Sequence, residues 1–422
     1  MNTRSHYMVC LLFTVLVVSS CSTIPDWRDV TVSPLTNIRE DGIDNPVLEA
    51  TDVTDVVDAN FVADPFLFYE DGVWYMFFEV GKRYHEGGTH WGRIGLATSH
   101  DGTRWTYDRI VLDEIALDAT GMPIAANSLH HSYPQVIKHN GIYYMITESY
   151  RQHQIRFFQA DSFPYEWRLV FNIAECGFGP EVYPRQCFDT DVTGDGEPDV
   201  GNVDPSIFRF NGKWWLYGSK GRNGYLYHSN RLLGDWQEHD NNPVVPDSAF
   251  KARAGGRVIV YDNDRVIRIA QEYRERYGQR VRAFDVITLT DSEYLETEIL
   301  EGASFCTDGG VFCEVGTPDT CNDAVTPCED REDIWNLCGM HQLDAWWTGE
   351  HWLLVTDGYK CLGGRDNWSI GMFISGPPAA RIREPFMEKE REPGPIRPDT
   401  RIERDADSEG TIQRQVSPDL SR

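Results

Sequence analysis

Two aspartates precede proline in the same local context, and this repetition points to paired-carboxylate chemistry. Asp64 and Asp204 each begin an Asp-Pro motif that leads into an apolar run, a glycine turn and a second run rich in aromatic residues. Two carboxyl groups on either side of a bond can act as general acid and general base, as in the hydrolysis of a glycosidic bond. One carboxyl must stay ionised while the other holds a proton, so the two need different environments.

These aspartates belong to a repeated hairpin that predicts an all-β five-bladed β-propeller. The repeat consists of X-Pro, an apolar strand, a turn with glycine and an aromatic-rich strand, which together form a β-hairpin. Clear copies begin at Asp64, Tyr133 and Asp204, about 70 residues apart, and weaker copies lie at 257–269 and 341–355. Since the innermost strands of a propeller line a central funnel, equivalent positions should converge there. A generic β-sandwich is the alternative.

Composition limits what such a funnel can bind. The chain has 422 residues, with 39 Lys+Arg against 66 Asp+Glu and a net charge of −27. Nucleic acid and anionic membrane surfaces require a cationic face, so both are excluded as partners. Aromatic residues make up 12% of the chain, which fits either stacking on sugar rings or an aromatic-rich β core.

The motifs resemble a known glycan-active superfamily. Residues 63–66 and 202–219 are similar to blades one and three of family-43-type glycoside hydrolases, which are five-bladed propellers. Over residues 60–376 the chain resembles more closely the propeller domain at the N-terminus of plant glucosamine inositolphosphorylceramide transferases and of bacterial relatives. The resemblance to the hydrolases implies that Asp64 is the general base. It also implies that Asp204 orients the general acid and tunes its pKa.

The chain departs from the hydrolase pattern at the general acid, which in that family is a glutamate of blade four. Residues 251–257 read Lys-Ala-Arg-Ala-Gly-Gly-Arg and contain no glutamate. Glu272 and Glu148, which each close an apolar strand, are the candidate replacements. Glu79 closes a strand in the same way, so a structural role for strand-end glutamates is the alternative.

Four residues are candidates for substrate binding, namely Arg253, Arg257, Tyr133 and His341. The two arginines offer bidentate donors to an acidic glycan, or they pair with the two aspartates. Tyr133 occupies the second-blade position equivalent to those aspartates. His341 resembles the blade-five histidine that the hydrolase family places near a central ion, with a buried, hydrogen-bonded histidine as the alternative.

An acidic loop before the third blade has the spacing of a calcium site. Counting from Asp191, side-chain oxygens fall at positions 1, 3, 5 and 9, and Gly196 stands at position 6 where calcium loops turn sharply. Asn202 replaces the usual glutamate at position 12, so we expect modest affinity for a structural Ca²⁺ and no organic cofactor. A plain acidic turn is the alternative. The predicted ligands are Asp189, Asp191, Thr193, Asp195, Glu197 and Asp199.

The first 21 residues predict a lipoprotein signal peptide. Arg4 precedes the apolar run 8–18, which is too short to span a bilayer, and small residues lead to Cys21, the predicted lipid carrier. An ordinary secretory signal is the alternative. We therefore expect an exported monomer at the outer membrane or surface of a Gram-negative cell, held to the membrane only by this lipid.

The remaining cysteines fit disulfides in an exported chain. Cys176 and Cys187 form an isolated local pair, whereas the connectivity of the later six stays open. A zinc site is the alternative, but the spacings are wider than usual for zinc. The later six are Cys306, Cys313, Cys321, Cys328, Cys338 and Cys361.

The predicted organisation places one functional domain between a tether and a tail. The tail is rich in proline and charge and is expected to be disordered. We predict an exported glycan-active propeller, glycoside hydrolase-like, acting on a neutral or acidic polysaccharide. A catalytically inactive glycan-binding propeller is the main alternative, and a surface lipoprotein that binds protein is a third. The predicted segments are signal peptide 1–21, tether 22–57, propeller 58–376 with insertions 174–202 and 302–338, and tail 377–422.

Overall fold

Five β-sheets arranged as the blades of a propeller account for nearly all regular structure in the described chain. The computed structural model describes residues 35–37, 45–85, 90–175, 185–188, 203–261, 265–274, 277–299, 304–305, 312–313, 335–336, 339–349, 351–359 and 367–375. These residues form 24 strands and three short 3-10 helices, at Ala50–Asp52, Ala125–Asn127 and Tyr150–Gln152. The five-bladed all-β prediction is confirmed for this part of the chain.

The strands follow the chain from the first blade to the fifth, except for β1 (Leu35–Asn37), which joins the fifth sheet. Blade one contains β2 (Phe61–Glu70), β3 (Val73–Lys82), β4 (Trp91–Ser99) and β5 (Thr106–Leu112). Blade two contains β6 (Ser132–His139), β7 (Ile142–Ser149), β8 (Gln154–Ser162), β9 (Glu166–Glu175) and β10 (Arg185–Phe188). Blade three contains β11 (Val203–Phe210), β12 (Lys213–Lys220), β13 (Asn223–Ser229) and β14 (Gln237–Glu238).

The fourth sheet is the largest of the five, with seven strands. It contains β15 (Arg253–Ala254), β16 (Ile259–Tyr261), β17 (Arg265–Glu272), β18 (Arg280–Leu289), β19 (Tyr294–Glu298), β20 (Ser304–Phe305) and β21 (Phe312–Cys313). Blade five contains β22 (Leu343–Trp347), β23 (Trp352–Tyr359) and β24 (Trp368–Ser375). All five predicted hairpins are present, as β2–β3, β6–β7, β11–β12, β16–β17 and β22–β23.

The X-Pro motif forms the same β-bulge in three blades. Asp64, Tyr133 and Asp204 have φ angles of 51°, 53° and 51°, in the left-handed region. At each motif the register between the first and second strands of the blade shifts. A bulge bends its strand and re-aims a side chain. The sequence repeat therefore marks the three positions where the inner strands turn side chains toward the funnel.

The segment before the first blade closes the ring. β1 pairs antiparallel with β24, and Ile370 N donates to Leu48 O at 2.9 Å. Leu48 is only 2% exposed and packs in the core between blades five and one. Part of the predicted tether 22–57 is thus built into the fifth blade, which ties the two ends of the propeller together.

Arg257 links three blades beside the propeller axis. Its Nε and Nη2 donate to the carboxylate of Asp344 at 2.8 and 3.1 Å. Nη2 also donates to Leu67 O at 2.9 Å and Nη1 to Val136 O at 3.3 Å. Asp344 is fully buried and also accepts from Leu67 N at 2.7 Å. This guanidinium, a predicted substrate ligand, is therefore committed to holding blades one, two and five together.

A close backbone approach next to Arg257 requires glycine. Gly256 has φ of 150°, and a Cβ there would collide with the carbonyl oxygen of Leu343 in blade five. We expect Gly256→Ala to destabilise the fold by roughly 3 kcal/mol or more, since strain and overlap add. The matched control is Gly141→Ala, at φ 77° with no heavy atom within 4 Å, which should cost about 1 kcal/mol. Urea denaturation tests this, and equal losses would contradict it.

Several predicted features lie outside the described residues and stay predictions. Cys187 and Cys313 are described only as strand residues of β10 and β21. Within the described residues, none of the helices has the length and hydropathy of a transmembrane span. The features outside are segments 1–21 and 377–422, the loop with Asp189, Asp191, Thr193, Asp195, Glu197 and Asp199, and residues Cys21, Cys176, Cys306, Cys321, Cys328, Cys338 and Cys361.

Candidate active site in the propeller funnel

The structure brings four predicted site residues together where the inner strands meet. Asp204 N donates to Glu148 Oε2 at 2.6 Å, and His341 Nε2 lies 3.9 Å from Asp64 Oδ1. The Asp64 and Asp204 charges also act on each other. All four residues are at most 5% exposed. Residues of blades one, two, three and five thus form one buried, ionisable group.

Asp204 is held by donors from the fourth blade. Arg253 donates Nε to Oδ2 and Nη2 to Oδ1, the latter at 3.4 Å. Gln271 donates Nε2 to Oδ2 at 2.9 Å. The Arg253 guanidinium lies over the ring of Tyr277 at 5.1 Å. Of the two roles expected for Arg253, binding an acidic glycan or pairing with an aspartate, the structure shows the pair with Asp204.

Asp357 organises the opposite side of the funnel. Its carboxylate accepts from the backbone N–H groups of Asp64, His341 and Gln342 at 3.0, 2.9 and 3.1 Å. It also contacts His341 Nδ1 at 2.6 Å. Sequence reasoning missed Asp357, although Thr356-Asp357 closes β23 in the way that Thr147-Glu148 closes β7.

Strand-end acids have a shared structural role in this propeller. Glu148 accepts the bulge N–H of Asp204 in the next blade, and Asp357 accepts that of Asp64 in blade one. A charged acceptor bonded to a backbone N–H makes one of the stronger protein hydrogen bonds. Glu148 therefore has a structural contact through Oε2, and no hydrogen bond to Oε1 is seen among the described residues.

Burial and charge act differently on the two carboxyls nearest the funnel. Burial raises the pKa of Asp64 well above its usual range, while the neighbouring His341 is the strongest effect in the opposite direction. Burial also raises the pKa of Glu148 well above its usual range, and the charge of Asp204 raises it further. Both carboxyls are thus shifted toward the protonated form. His341 opposes this shift at Asp64 more than any other charge does, whereas at Glu148 the effect of the Asp204 carboxylate exceeds that of the Arg253 guanidinium.

His341 is a cation at neutral pH. Burial by itself would lower its pKa, but the Asp357 carboxylate, and to a smaller extent Asp64, raise it to about 9. Its ring stacks on Trp368 with centroids 4.3 Å apart and meets the edge of Tyr277 at 5.1 Å. The imidazolium therefore stays fixed between two carboxylates and an aromatic wall.

This pKa predicts a pH dependence of stability. Because the folded pKa of His341, about 9, lies above the ordinary histidine value of 6.5, the stabilisation is complete below pH 6.5 and is lost as the pH rises through 9. Wild type should be more stable than His341→Gln by on the order of 3 kcal/mol at pH 6, and this difference should vanish above pH 9. Urea denaturation at both pH values measures it, with exposed His100→Gln as control. A pH-independent difference would contradict the assignment.

Glu272 does not share this environment. It is fully buried, and its carboxylate accepts from Arg282 Nε at 2.6 Å and Arg274 Nε at 2.5 Å, with Arg280 Nε at 3.5 Å. Successive strand side chains point to opposite faces, so its neighbour Gln271 faces Asp204 instead. The β17 residue that faces Asp204 is consequently an amide, which has no acidic proton to give.

The Tyr133 hydroxyl is also used internally. It shares a hydrogen bond of 3.0 Å with Ser206 Oγ, which donates to Gly256 O at 2.8 Å. Burial raises the pKa of Tyr133 well above its usual range, so the phenol stays neutral. Tyr133 therefore connects blades two, three and four through Ser206.

Two sets of described side chains approach metal-binding spacing, and neither forms a complete centre. The first set is Asp64, His341 and Asp357. The Asp357 carboxylate already accepts three backbone N–H groups and contacts His341 Nδ1. Only Asp64 Oδ1 and His341 Nε2 of this set then remain as ligand atoms. In the set Glu79, His90 and His130, His130 Nδ1 accepts Gly92 N–H at 2.9 Å. Its proton is then on Nε2, the atom a metal would need.

The sequence matches a described family. The family described as "Glucosamine inositolphosphorylceramide transferase 1, N-terminal" matches residues 39–175 and 200–309. Glucosamine inositolphosphorylceramide transferase 1 of Oryza sativa subsp. japonica is 27% identical over 332 residues, covering 76% of this chain and 36% of that protein. The Arabidopsis thaliana protein is 31% identical over 268 residues, covering 61% and 30%. The chain spans about a third of the length of these plant relatives.

Solved structures of glycoside hydrolases share the fold. A glycosyl hydrolase from Bacteroides ovatus aligns with a TM-score of 0.52 at 14% identity, covering 85% of this chain and 99% of that one. The catalytic domain of a family 62 α-L-arabinofuranosidase from Coprinopsis cinerea aligns at 0.51 and 10%, covering 81% and 97%. At these identities the likeness concerns the fold alone, and it confirms the propeller architecture.

Proposed function

The chain belongs to the family of glucosamine inositolphosphorylceramide transferase 1 N-terminal domains, and we propose that its propeller is a glycan-active, glycoside hydrolase-like domain. The observation that carries the proposal is the pair Asp64 and Glu148, buried in one funnel with different strongest charge neighbours, His341 for Asp64 and Asp204 for Glu148. Pairs of carboxyls whose environments differ in this way divide into acid and base. The likeness in fold to glycoside hydrolases supports it.

In the proposed reaction Glu148 gives its proton to the oxygen that leaves the sugar. Asp64, ionised beside the His341 imidazolium, takes a proton from water as the water oxygen bonds to the anomeric carbon and the glycosidic bond breaks. Asp204 is a positioning residue, because Arg253 and Gln271 fix its carboxylate while its backbone N–H holds Glu148 Oε2. Each turn consumes one water and returns both carboxyls to their starting states by proton exchange with solvent.

The glycan itself is proposed only as a class. Both predicted anion ligands, Arg253 and Arg257, are paired with carboxylates, so the structure gives no specific support to an acidic glycan. The relatives are named as glucosamine inositolphosphorylceramide transferases, which makes glycosylated inositol head groups part of the panel to test. Hydrolysis is tested by measuring the release of reducing ends from that head group, arabinan, xylan and acidic glycans. No release from any of these substrates would contradict the proposed hydrolase activity.

A catalytically inactive glycan-binding propeller is the second candidate, and Gln271 is the observation that favours it. Among the described residues, the blade-four side chains that hydrogen-bond to Asp204 are Gln271 and Arg253. Neither is a carboxylic acid. Binding of a glycan without release of reducing ends, together with equal affinity in wild type and Asp64→Asn, would favour this candidate over the enzyme.

We also propose the structural calcium site in the loop 189–202. The regular oxygen spacing around Asp191 and Asp195 supports it. A chelator should lower the melting temperature of wild type, because a ligand that binds only the folded state stabilises it. Asp191→Ala should remove that response. Thermal denaturation with and without added calcium measures both effects, and a chelator response that persists in the variant would contradict the site.

A further inference from the structure

Tyr277 lies beside the reaction centre, and the proposed reaction does not use it. It stands in the turn between β17 and β18. The backbone of this turn is held on blade five, because Gly278 O accepts Met340 N at 2.8 Å. A Cβ at Gly278 would also overlap the ring of Trp368, so the two segments approach closely. The turn therefore places the Tyr277 ring between the fourth and fifth blades.

Two cations of the funnel meet this ring. Arg253 Cζ lies 5.1 Å from the ring centroid, which is within the range of a cation–π contact. The His341 ring lies 5.1 Å away between centroids, but it is also anchored by its stack on Trp368 and its contact with Asp357. Among the described residues, Tyr277 is the one aromatic ring over the Arg253 guanidinium. Arg253 is thus the cation that depends more on this ring.

The Arg253 side chain has two carboxyls within the reach of its charge. Its guanidinium donates to both oxygens of Asp204, and its charge also lowers the pKa of Glu148. The side chain is 22% exposed, and an arginine loses much conformational freedom when it is held in one position. A guanidinium that moved from Asp204 to Glu148 would favour the ionised form of Glu148. The proposed acid would then have no proton to give.

The Tyr277 hydroxyl is a poor proton donor for the reaction. Burial raises the pKa of Tyr277 well above its usual range. The Arg253 charge opposes this effect, while the charges of Asp204, Asp64 and Glu148 add to it. The phenol therefore stays neutral and keeps its proton, and what the geometry offers to the site is the face of the ring.

We propose that Tyr277 is a positioning residue, whose ring holds the Arg253 guanidinium on Asp204 and away from Glu148. The proposal rests on the proposed hydrolase function and adds a residue to the acid side of that site. Asp204 in turn donates its backbone N–H to Glu148 Oε2 at 2.6 Å. Ring, guanidinium and Asp204 thus form one chain of contacts that ends at the proton donor.

Loss of the ring should act as a partial loss of the acid. On the glycan of the panel that wild type cleaves, we expect Tyr277→Leu to lower kcat about tenfold, the scale of a desolvated cation–π contact. KM should change by about twofold or less. The nitrophenyl glycoside of the same sugar, whose leaving group needs little protonation, should lose about twofold or less. Tyr277→Phe keeps the ring and should stay within about twofold of wild type on both substrates.

The matched control is Tyr165→Leu. Tyr165 lies in the turn between β8 and β9 and carries the Arg109 guanidinium over its ring at 5.0 Å. The same substitution there removes the same kind of contact from outside the funnel, so both rates should stay at the wild-type level.

Urea denaturation tests the contact without any measurement of activity. In a double-mutant cycle, Tyr277→Leu and Arg253→Met should be non-additive, with a coupling of about threefold to tenfold in the unfolding equilibrium constant. Tyr277→Met, which also lacks a ring, gives the same comparisons where Tyr277→Leu fails to fold.

The outcomes separate this inference from the proposed function. Equal losses on the glycan and the nitrophenyl glycoside, or unchanged rates in Tyr277→Leu, would overturn the positioning role and leave hydrolysis intact. Additive stability losses in the cycle would overturn it as well. A wild type that cleaves no member of the panel would overturn the proposed function and the positioning role together.

Discussion

Asp64→Asn should lower the release of reducing sugar by roughly 10²- to 10⁴-fold, the usual contribution of a general base. The melting temperature should stay nearly unchanged. Asparagine tolerates the left-handed φ of 51° that this position adopts. The Asp64 backbone N–H keeps its bond to Asp357. Asp64 Oδ1 has no hydrogen-bond partner to lose among the described residues. His341 loses the weaker of its two carboxylate neighbours and keeps Asp357.

The matched variant for this prediction is Glu148→Gln. Glutamine keeps an oxygen to accept Asp204 N–H, so the hydrogen bond of 2.6 Å has a replacement, but it cannot donate the proton to the leaving group. We expect a comparable loss for substrates with poor leaving groups and a smaller one for activated aryl glycosides, which need little protonation. Unaltered rates in both variants, measured on the same glycan as wild type, would refute the assignment of acid and base.

Arg257→Met should destabilise the propeller by about 3–5 kcal/mol, the usual cost of leaving a buried charge unpaired. Asp344 is fully buried and its main cationic partner is this guanidinium. The carbonyl oxygens of Leu67 and Val136 would also lose the hydrogen bonds that Arg257 donates. The loss should appear as a lower urea midpoint with little change in slope.

Two controls separate this axial ion pair from ordinary charge effects. Arg257→Met combined with Asp344→Asn should recover part of the loss, because the amide still accepts Leu67 N–H without a buried charge. Arg168→Ala removes an arginine that is about half exposed in its pair with Asp161 and should cost at most about 1 kcal/mol. A loss for Arg257→Met no larger than that for Arg168→Ala would show that the axial pair does not stabilise the fold.

The fold was accessible from the sequence because its signal is local. The X-Pro motif, glycine turn and aromatic strand recur within short stretches, and each stretch is one hairpin. The motif also located three bulges, at Asp64, Tyr133 and Asp204, where a left-handed residue re-aims the side chain. The placement of carboxylates around one funnel followed from that repetition.

The partners of those residues were less accessible, because they depend on strand register and on contacts between distant blades. Gln271 and Glu272 are adjacent in β17, so their side chains point to opposite faces of the sheet. Gln271 therefore donates to Asp204, whereas Glu272 lies among arginines. Arg257 was expected to bind an acidic glycan or to pair with the two aspartates, yet it pairs with Asp344, 87 residues away. Asp357 carries the same strand-end signal as Glu148 and was accessible in principle, but its bond to Asp64 N spans 293 residues.

The most direct test is the structure of full-chain Asp64→Asn with a bound glycan. The account predicts a sugar ring in the funnel, with Glu148 Oε1 within hydrogen-bond distance of the glycosidic oxygen and the residue at position 64 on the opposite side of the anomeric carbon. A glycan bound elsewhere on the propeller while the funnel holds no sugar would contradict the account.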